Sequence, residues 1–313
     1  MQKARSGQWY METVSENEYH LHAIEKVLFV GESKFQQVSV LETPHFGKML
    51  ILDGDAQHFE KDEHIYHESL VHPALILPPD PRKVLILGGG EGATLREALR
   101  HKTLESAVMI DIDREVVELC AKHLPHCAAG AFSDPRAVVR YEDARKFLEN
   151  SPEKYDVIIS DLTEPFTDSP SHFLFTREFF SIVSDRLANP GILALQASRM
   201  YSDGNLHGVI HQTLKGVFSF VRSYQAFVPS FFTAWGFITA SNTLDPLSFS
   251  APEIDKRISL RLSRPCRYYD GTTHTGMFSL SRDLREMIAS QTTVLEDLKP
   301  FSWEAGNLLV ETK

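Results

Sequence analysis

Cysteine is scarce. The 313-residue chain carries three, Cys120, Cys127 and Cys266. They are widely spaced and form no C-x-x-C pair, which fits reduced thiols in a cytosol and neither a disulfide framework nor a zinc site. A surplus of positive charge is also missing. Lys and Arg number 32 against 42 Asp and Glu, a formal net charge of −10. That balance argues against nucleic acid as a partner and suits cationic ligands better. No apolar run approaches the roughly 20 residues a spanning helix needs, so no membrane partner is expected. The polar start MQKARSGQWY lacks the apolar core of a signal peptide, so a cytoplasmic location is expected. Internal repeats and low-complexity segments are absent as well. What remains is a chain with 42% hydrophobic and 24% charged residues, able to bury a core, and long enough for about two domains.

The first sixty residues read as strands. EKVLFVGES, KFQQVSVLET and GKMLILDGD are short apolar or alternating runs that suggest hairpins of a small antiparallel sheet. From Asp62 to Leu77 the spacing of Ile65, Leu70 and Ala74 becomes helical, with Asp62 and Glu63 placed for a helix start. The break PPDPRK sets a domain boundary, giving an N-terminal β domain with a connecting helix over 1–77 and a second domain over 78–313. There VLIL, AVMID, AVVRY, YDVIIS and GILALQ alternate with helical stretches. This rhythm predicts an α/β fold with a Rossmann-like doubly wound parallel sheet, whose ligands sit at the C-terminal ends of the strands. The tail SWEAGNLLVETK carries no readable signal.

GGGEGATLREA follows the first of these strands and opens a helix. Gly88, Gly90 and Ala93 satisfy the loose dinucleotide fingerprint, and Asp111 lies about 20 residues on, where an acid would grip a ribose diol. Glu91 decides between ligands. A carboxylate in that loop would repel a pyrophosphate, and no Arg or Lys stands in the loop to compensate. A phosphate-free cation is favoured, such as an adenosyl sulfonium with an ammonium tail. Asp143, after the next strand, is placed either to take an adenine amino group or to cap a helix.

YDVIISDLTEPF puts Asp161 and Glu164 just past a buried strand, an acidic lip able to bind ammonium groups and to take a proton from one. An alkylamine, with a pKa near ~10, needs such a base before it can attack carbon. A plain turn in which Asp161 satisfies backbone amides is the alternative. HESLVH, from His67 to His72, is no zinc-protease helix, because residues five apart lie about 140° apart around the axis. No metal is expected, and Tyr66 and His67 read as pocket or interface polar groups.

Together GGGEGATLRE, IDIDREVV, EDARKF and DLTEPF resemble the polyamine aminopropyltransferases, the spermidine synthase family. LDGDAQHFEKDEHIYHESLVHPAL is similar to that family's N-terminal signature and RYYDGTTHTGMFSLSRDL to its C-terminal segment, so the resemblance runs from about Glu18 to Leu284. It implies an N-terminal β domain, a Rossmann-like catalytic domain and a homodimer or homotetramer. It further implies decarboxylated S-adenosylmethionine as co-substrate, a polyamine as acceptor, and no cofactor. By motif position, Asp161 would be the base. Gln36, Gly88, Gly90, Glu91, Asp111, Asp143 and Ala144 would bind the donor, with Glu91 on its ammonium. Tyr66, His67 and Glu164 would line the acceptor channel.

The chain departs from the putrescine-using pattern in two places. The second acid of the lip is Glu164 rather than Asp, and VPSFFTAWGFITAS puts Ser230 where those members carry a tyrosine. This segment resembles thermospermine synthases and related enzymes acting on agmatine or longer amines, so spermidine, giving thermospermine, is expected ahead of agmatine. The competing readings are a methyltransferase on the same fold, which Glu91 opposes, a non-catalytic polyamine-binding homologue, and a nicotinamide oxidoreductase, which lacks phosphate partners.

Overall fold

The computed structural model describes residues 7–15, 18–167, 169–202 and 205–302. The first six residues of the polar start and the tail from Trp303 lie outside them. Strands β1 (Gln8–Ser15) and β2 (Glu18–Ile24) form an antiparallel hairpin. A four-stranded antiparallel sheet follows, in the order β3 (Lys26–Glu32), β4 (Gln37–Thr43), β5 (Gly47–Leu52) and β6 (Asp55–Phe59). The β5–β6 turn is Asp53-Gly54, both at positive φ (49° and 95°), the two-residue geometry that matches strand twist and favours an Asp-Gly pair. Alternation along β4 and β5 buries both faces of this sheet. Val38, Val40 and Leu50 pack against Val116, Leu124 and Cys127, while Leu41, Met49 and Ile51 pack against Phe231.

Helix α1 (Glu63–Leu75) leads into the larger unit. Asp62 occupies its N-cap position without capping it, because its carboxylate accepts the Ser230 amide instead. Strands and helices then alternate: β7 (Lys83–Gly88), α2 (Ala93–Leu99), β8 (Ser106–Asp111), α3 (Arg114–His123) and the short α4 (Pro125–Ala128). These are followed by β9 (Ala137–Tyr141), α5 (Ala144–Asn150), β10 (Tyr155–Asp161), α6 (Arg177–Arg186) and β11 (Leu187–Arg199). After α7 (Leu206–Lys215), strands β12 (Phe220–Val228) and β13 (Thr233–Ser241) complete the sheet. Helices α8 (Ala251–Arg261), α9 (Gly271–Met277) and α10 (Arg282–Ser290) follow.

The seven strands run in the order β12-β13-β11-β10-β7-β8-β9. β9, β8, β7, β10 and β11 are parallel, as the apolar runs predict, with β9 at the exposed edge. β13 is antiparallel to β11 and to β12, so the sheet is mixed rather than wholly parallel. The cause is local: β12 and β13 are joined by the tight turn Pro229–Phe231, too short for a crossover. Both faces are covered. Leu70, Val71 and Leu75 of α1 share one core with Val84, Ile86 and Leu95, and Phe179, Phe180 and Leu214 close the other over Leu85 and Leu87. Each such side chain, fully buried, contributes roughly 1.5–3 kcal/mol before the entropy of ordering it.

Candidate active site

The chain order reverses between β7 and β10, and at such a switch point the strand ends diverge and leave a crevice. Gly88 and Asp161 are register partners there. Gly88 (φ 78°) and Gly89 (φ 74°) turn the chain sharply, and the Gly89 amide donates to the Asp161 carbonyl at 3.0 Å. A Cβ on Gly88 would sit 2.3 Å from that carbonyl, so only glycine fits. A cavity of about 510 Å³ opens from this point, bounded by both glycines, Glu91, Asp111, Asp143, Asp161 and Glu164, and by the small sheet.

Asp161 stands at the cavity's centre. Tyr66 Oη donates to its Oδ1 at 2.8 Å and Thr94 Oγ1 to its Oδ2 at 2.5 Å. Burial, with the nearby Glu91 carboxylate, pushes its carboxyl up to about 6, although His67 and the two hydroxyl donors pull the other way. Ionised and oriented by two donors, with further lone pairs free on both oxygens, it can accept a proton from a group in the cavity. Burial and the Asp161 charge push the Tyr66 phenol well above its ordinary value, so it stays a donor.

Glu91 does not face the cavity alone. Its Oε1 meets His67 Nε2 at 2.9 Å, and His67 Nδ1 meets Glu63 Oε2 at 2.8 Å. Arg96 in turn grips Glu63 at 3.0 and 2.8 Å. Burial opposes charge on His67, but its two carboxylate partners win and raise it to about 10. His67 is thus an imidazolium that holds Glu91 ionised: burial alone would raise that acid, and the hydrogen bond to His67 brings it below the ordinary range. The ligand atoms of His67, Glu91 and Asp161 are close enough together for an ion, yet a doubly paired imidazolium has no lone pair to give a metal.

At one end of the cavity, Asp111 lies beneath Gly90, whose added Cβ would approach its Oδ2 to 2.8 Å. Burial pushes Asp111 up to about 7. Gln36 lines this end and donates to Asp113 at 3.0 Å, and Asp113 caps α3 through the amides of Glu115 and Val116. Asp143 lines it too while capping α5 through the Lys146 amide at 3.0 Å, so the cap leaves it facing the cavity; Ala144 lies beside it.

The other end is formed by Glu164, Asp55, Glu12, Gln57, Phe231 and Trp235, with Arg199. Glu12 arrives from the β1–β2 hairpin and accepts the Ala56 amide at 3.1 Å. Burial raises Glu164, despite Ser198 and Arg199. Burial, then Glu164 and Glu12, push Asp55 up to about 7. Ser230 does not reach this surface. It is 1% exposed, with its amide on Asp62 at 2.7 Å, and its neighbours Phe231 and Trp235 face the cavity instead. Thr94, Asp55, Glu12 and Arg199 carry no role in the sequence reading. Thr94 and Asp55 do stand inside the motifs GGGEGATLRE and LDGDAQHFEKDEHIYHESLVHPAL, whereas Glu12 and Arg199 lie outside every one.

Comparison with known proteins agrees with this geometry. Residues 63–250 match the spermine/spermidine synthase domain and residues 8–60 the spermidine synthase tetramerisation domain. The polyamine aminopropyltransferase of Sulfurisphaera tokodaii is 42% identical over 286 residues, 91% of this chain and 95% of that one. Polyamine aminopropyltransferase 2 of Pseudomonas aeruginosa is 42% identical over 284 residues, 90% of this chain and 81% of that one. A spermidine synthase crystallised with the transition-state analogue AdoDATO superimposes with a TM-score of 0.85 at 31% identity, covering 92% of this chain and 97% of its own. The chain belongs to the spermidine synthase family and is an enzyme of the polyamine aminopropyltransferase class.

Proposed function

We propose that the enzyme transfers the aminopropyl group of decarboxylated S-adenosylmethionine to spermidine, giving thermospermine and 5′-methylthioadenosine. In this reading Asp111, Gln36, Asp143 and Ala144 hold the nucleoside, Gly88 and Gly90 shape its loop, and Glu91 takes the donor's ammonium. Asp161 removes a proton from the terminal ammonium of spermidine's aminopropyl arm. The freed nitrogen attacks the methylene on the sulfonium, the carbon–sulfur bond breaks, and its electron pair leaves with methylthioadenosine. Held in line, a good leaving group and a proton acceptor suffice for this step.

The observation that carries the acceptor assignment is the acidity of the far end. Glu164, Asp55 and Glu12 face it against one arginine. A diamine brings one ammonium besides the reacting nitrogen; spermidine brings two, spaced along a chain. Tyr66 and His67 flank the reacting nitrogen, and Ser230 acts through the backbone turn that presents Phe231. Agmatine is the second reading, since its guanidinium could stack on Trp235. The match to a tetramerisation domain supports a homodimer or homotetramer. No helix among the described residues is long and apolar enough to cross a membrane, in keeping with a cytoplasmic enzyme.

An end-point assay by mass spectrometry, with the donor and equimolar putrescine, agmatine, spermidine and norspermidine, tests this. Thermospermine and methylthioadenosine in equal amounts are expected. Spermidine or aminopropylagmatine as the sole product would displace the acceptor assignment and leave the class standing.

A further inference from the structure

Three His/Cys/acid clusters among the described residues bring ligand atoms within reach of one ion. Two are already committed. His67, Glu91 and Asp161 form the site above. In the second, Glu68 accepts the amides of Arg267, Tyr268 and Tyr269 and pairs with Arg100, which leaves its carboxylate no spare capacity. The third, His58, His126 and Cys127, takes no part in the proposed chemistry.

His58 lies on β6 and is 2% exposed, while His126 and Cys127 are neighbours on α4. The two Nε2 atoms are 3.1 Å apart, and Cys127 Sγ is 3.3 Å from that of His58 and 3.5 Å from that of His126. Zn–N bonds of about 2.05 Å and a Zn–S bond of about 2.3 Å at tetrahedral angles put ligand atoms ~3.3 Å (N to N) and ~3.6 Å (N to S) apart. The observed triangle is tighter by about 0.1–0.3 Å on its edges. A planar three-coordinate ion would need wider edges, so the tetrahedral case fits better.

The surroundings fit a ligand set as well. Glu60 Oε1 stands 3.7 Å from His126 Nδ1, on the side of the ring away from the triangle, where a carboxylate orients a metal-bound imidazole. Arg96 donates to the carbonyls of His126 and Cys127 at 3.1 and 2.8 Å, fixing the α4 turn. The His126 side chain is 26% exposed while His58 and Cys127 are buried, so solvent reaches the cluster only from the His126 side, the one from which a water could complete four-coordination. As hydrogen bonds alone, the His–His contact requires opposite tautomers on the two rings. As a ligand set, the three atoms lie within 3.5 Å of one another, and because the sulfur stands beside the His58 ring, 3.3 Å from Nε2 and 3.9 Å from Nδ1, that ring must turn to bring its lone pair onto a shared ion.

We propose that His58, His126 and Cys127 form a zinc site with water as fourth ligand, bracing the small sheet against the α4 turn. Binding converts the Cys127 thiol to a thiolate, the sulfur lone pair going to the metal and one proton to solvent. The His58 ring lies 6.1 Å from the His67 ring, so the brace sits one imidazole away from the partner of Glu91. None of this depends on which amine the enzyme uses.

The test is cobalt titration of untagged, full-length protein after chelator treatment. One equivalent should give a near-ultraviolet thiolate-to-cobalt charge-transfer band and strong visible bands of tetrahedral cobalt, both abolished by stoichiometric zinc. Cys127→Ser should lose the ultraviolet band. Cys120→Ser, at a buried neighbour outside the triangle, should keep it. Glu60→Gln, at a partly exposed position, should weaken binding about 10-fold. Absence of a saturable signal in the wild type, or a band that survives Cys127→Ser, would overturn the site. Saturation by cuprous ion with neither cobalt nor zinc bound would overturn the tetrahedral assignment.

Discussion

The phenol of Tyr66 donates to Oδ1 of Asp161 at 2.8 Å, across 95 residues of chain. This bond ties the helix that follows the small sheet to the end of the central strand β10, and it holds the proposed proton acceptor by a group that itself stays protonated.

The pH profile follows from that bond. Asp161 has its carboxyl raised to about 6 and must be ionised to act, so kcat/KM is expected to fall as pH drops through about 6. Tyr66→Phe removes a hydrogen bond that favours the ionised form, which raises the carboxyl further and moves the acid limb to higher pH. A profile in Tyr66→Phe that overlays the wild type would show that the limb belongs to another group.

Asp161→Asn keeps the shape and loses the base. Turnover is expected to fall by roughly 10²–10⁴-fold, with methylthioadenosine affinity, read by calorimetry, changed only a few-fold. Near-normal turnover would remove Asp161 from the proton transfer.

At the far end, Asp55 ionises through about 7. Its attraction for an ammonium therefore grows as pH rises, and the KM for spermidine should fall between pH 6 and 8. Asp55→Asn should flatten that trend and raise the KM at pH 8 by about 10-fold, the scale of one charge-assisted hydrogen bond, with less effect on putrescine. Glu164→Asp should change the ranking of acceptors. Acceptor kinetics that neither substitution alters would place both acids outside the channel.

Gly88→Ala is expected to be severe. A side chain at φ 78° is strained by about 1–2 kcal/mol, and the Cβ would meet the Asp161 carbonyl at 2.3 Å. Thermal unfolding should shift down by several degrees, with loss of methylthioadenosine binding. An unchanged melting point would mean that the loop relaxes freely.

Much of the strand-end side of the cavity was legible because it is built from strand ends. Asp111 and Asp161 close apolar strands, Asp143 follows the exposed edge strand β9, and Glu91 sits in a glycine loop, so local pattern put all four at the cavity. The rest depends on long-range contacts that local pattern does not encode. The β1–β2 hairpin has Trp9, Met11, Tyr19 and Leu21 more than half exposed, so burial does not explain its alternation. Its Glu12 meets Ala56 across 44 residues. Ser230 failed to line the cavity because the three residues after Val228 form a tight helical turn that points its neighbours inward. The antiparallel return of β12 and β13 was hidden for the same reason. His58 and Cys127 are separated by 69 residues, far beyond any ligand-spacing motif.

The glycine loop and the strand that carries Asp161, proposed to hold the donor and the base, meet through peptide groups, Gly89 amide to Asp161 carbonyl. The distance over which the proton and the carbon must be aligned is therefore inherited from backbone geometry, which substitution elsewhere leaves alone. The acceptor wall is instead assembled from the lip after β10, a hairpin turn and the Phe231 turn, three loops that can change independently. A family built this way can diversify the amines it accepts while its reaction centre stays fixed.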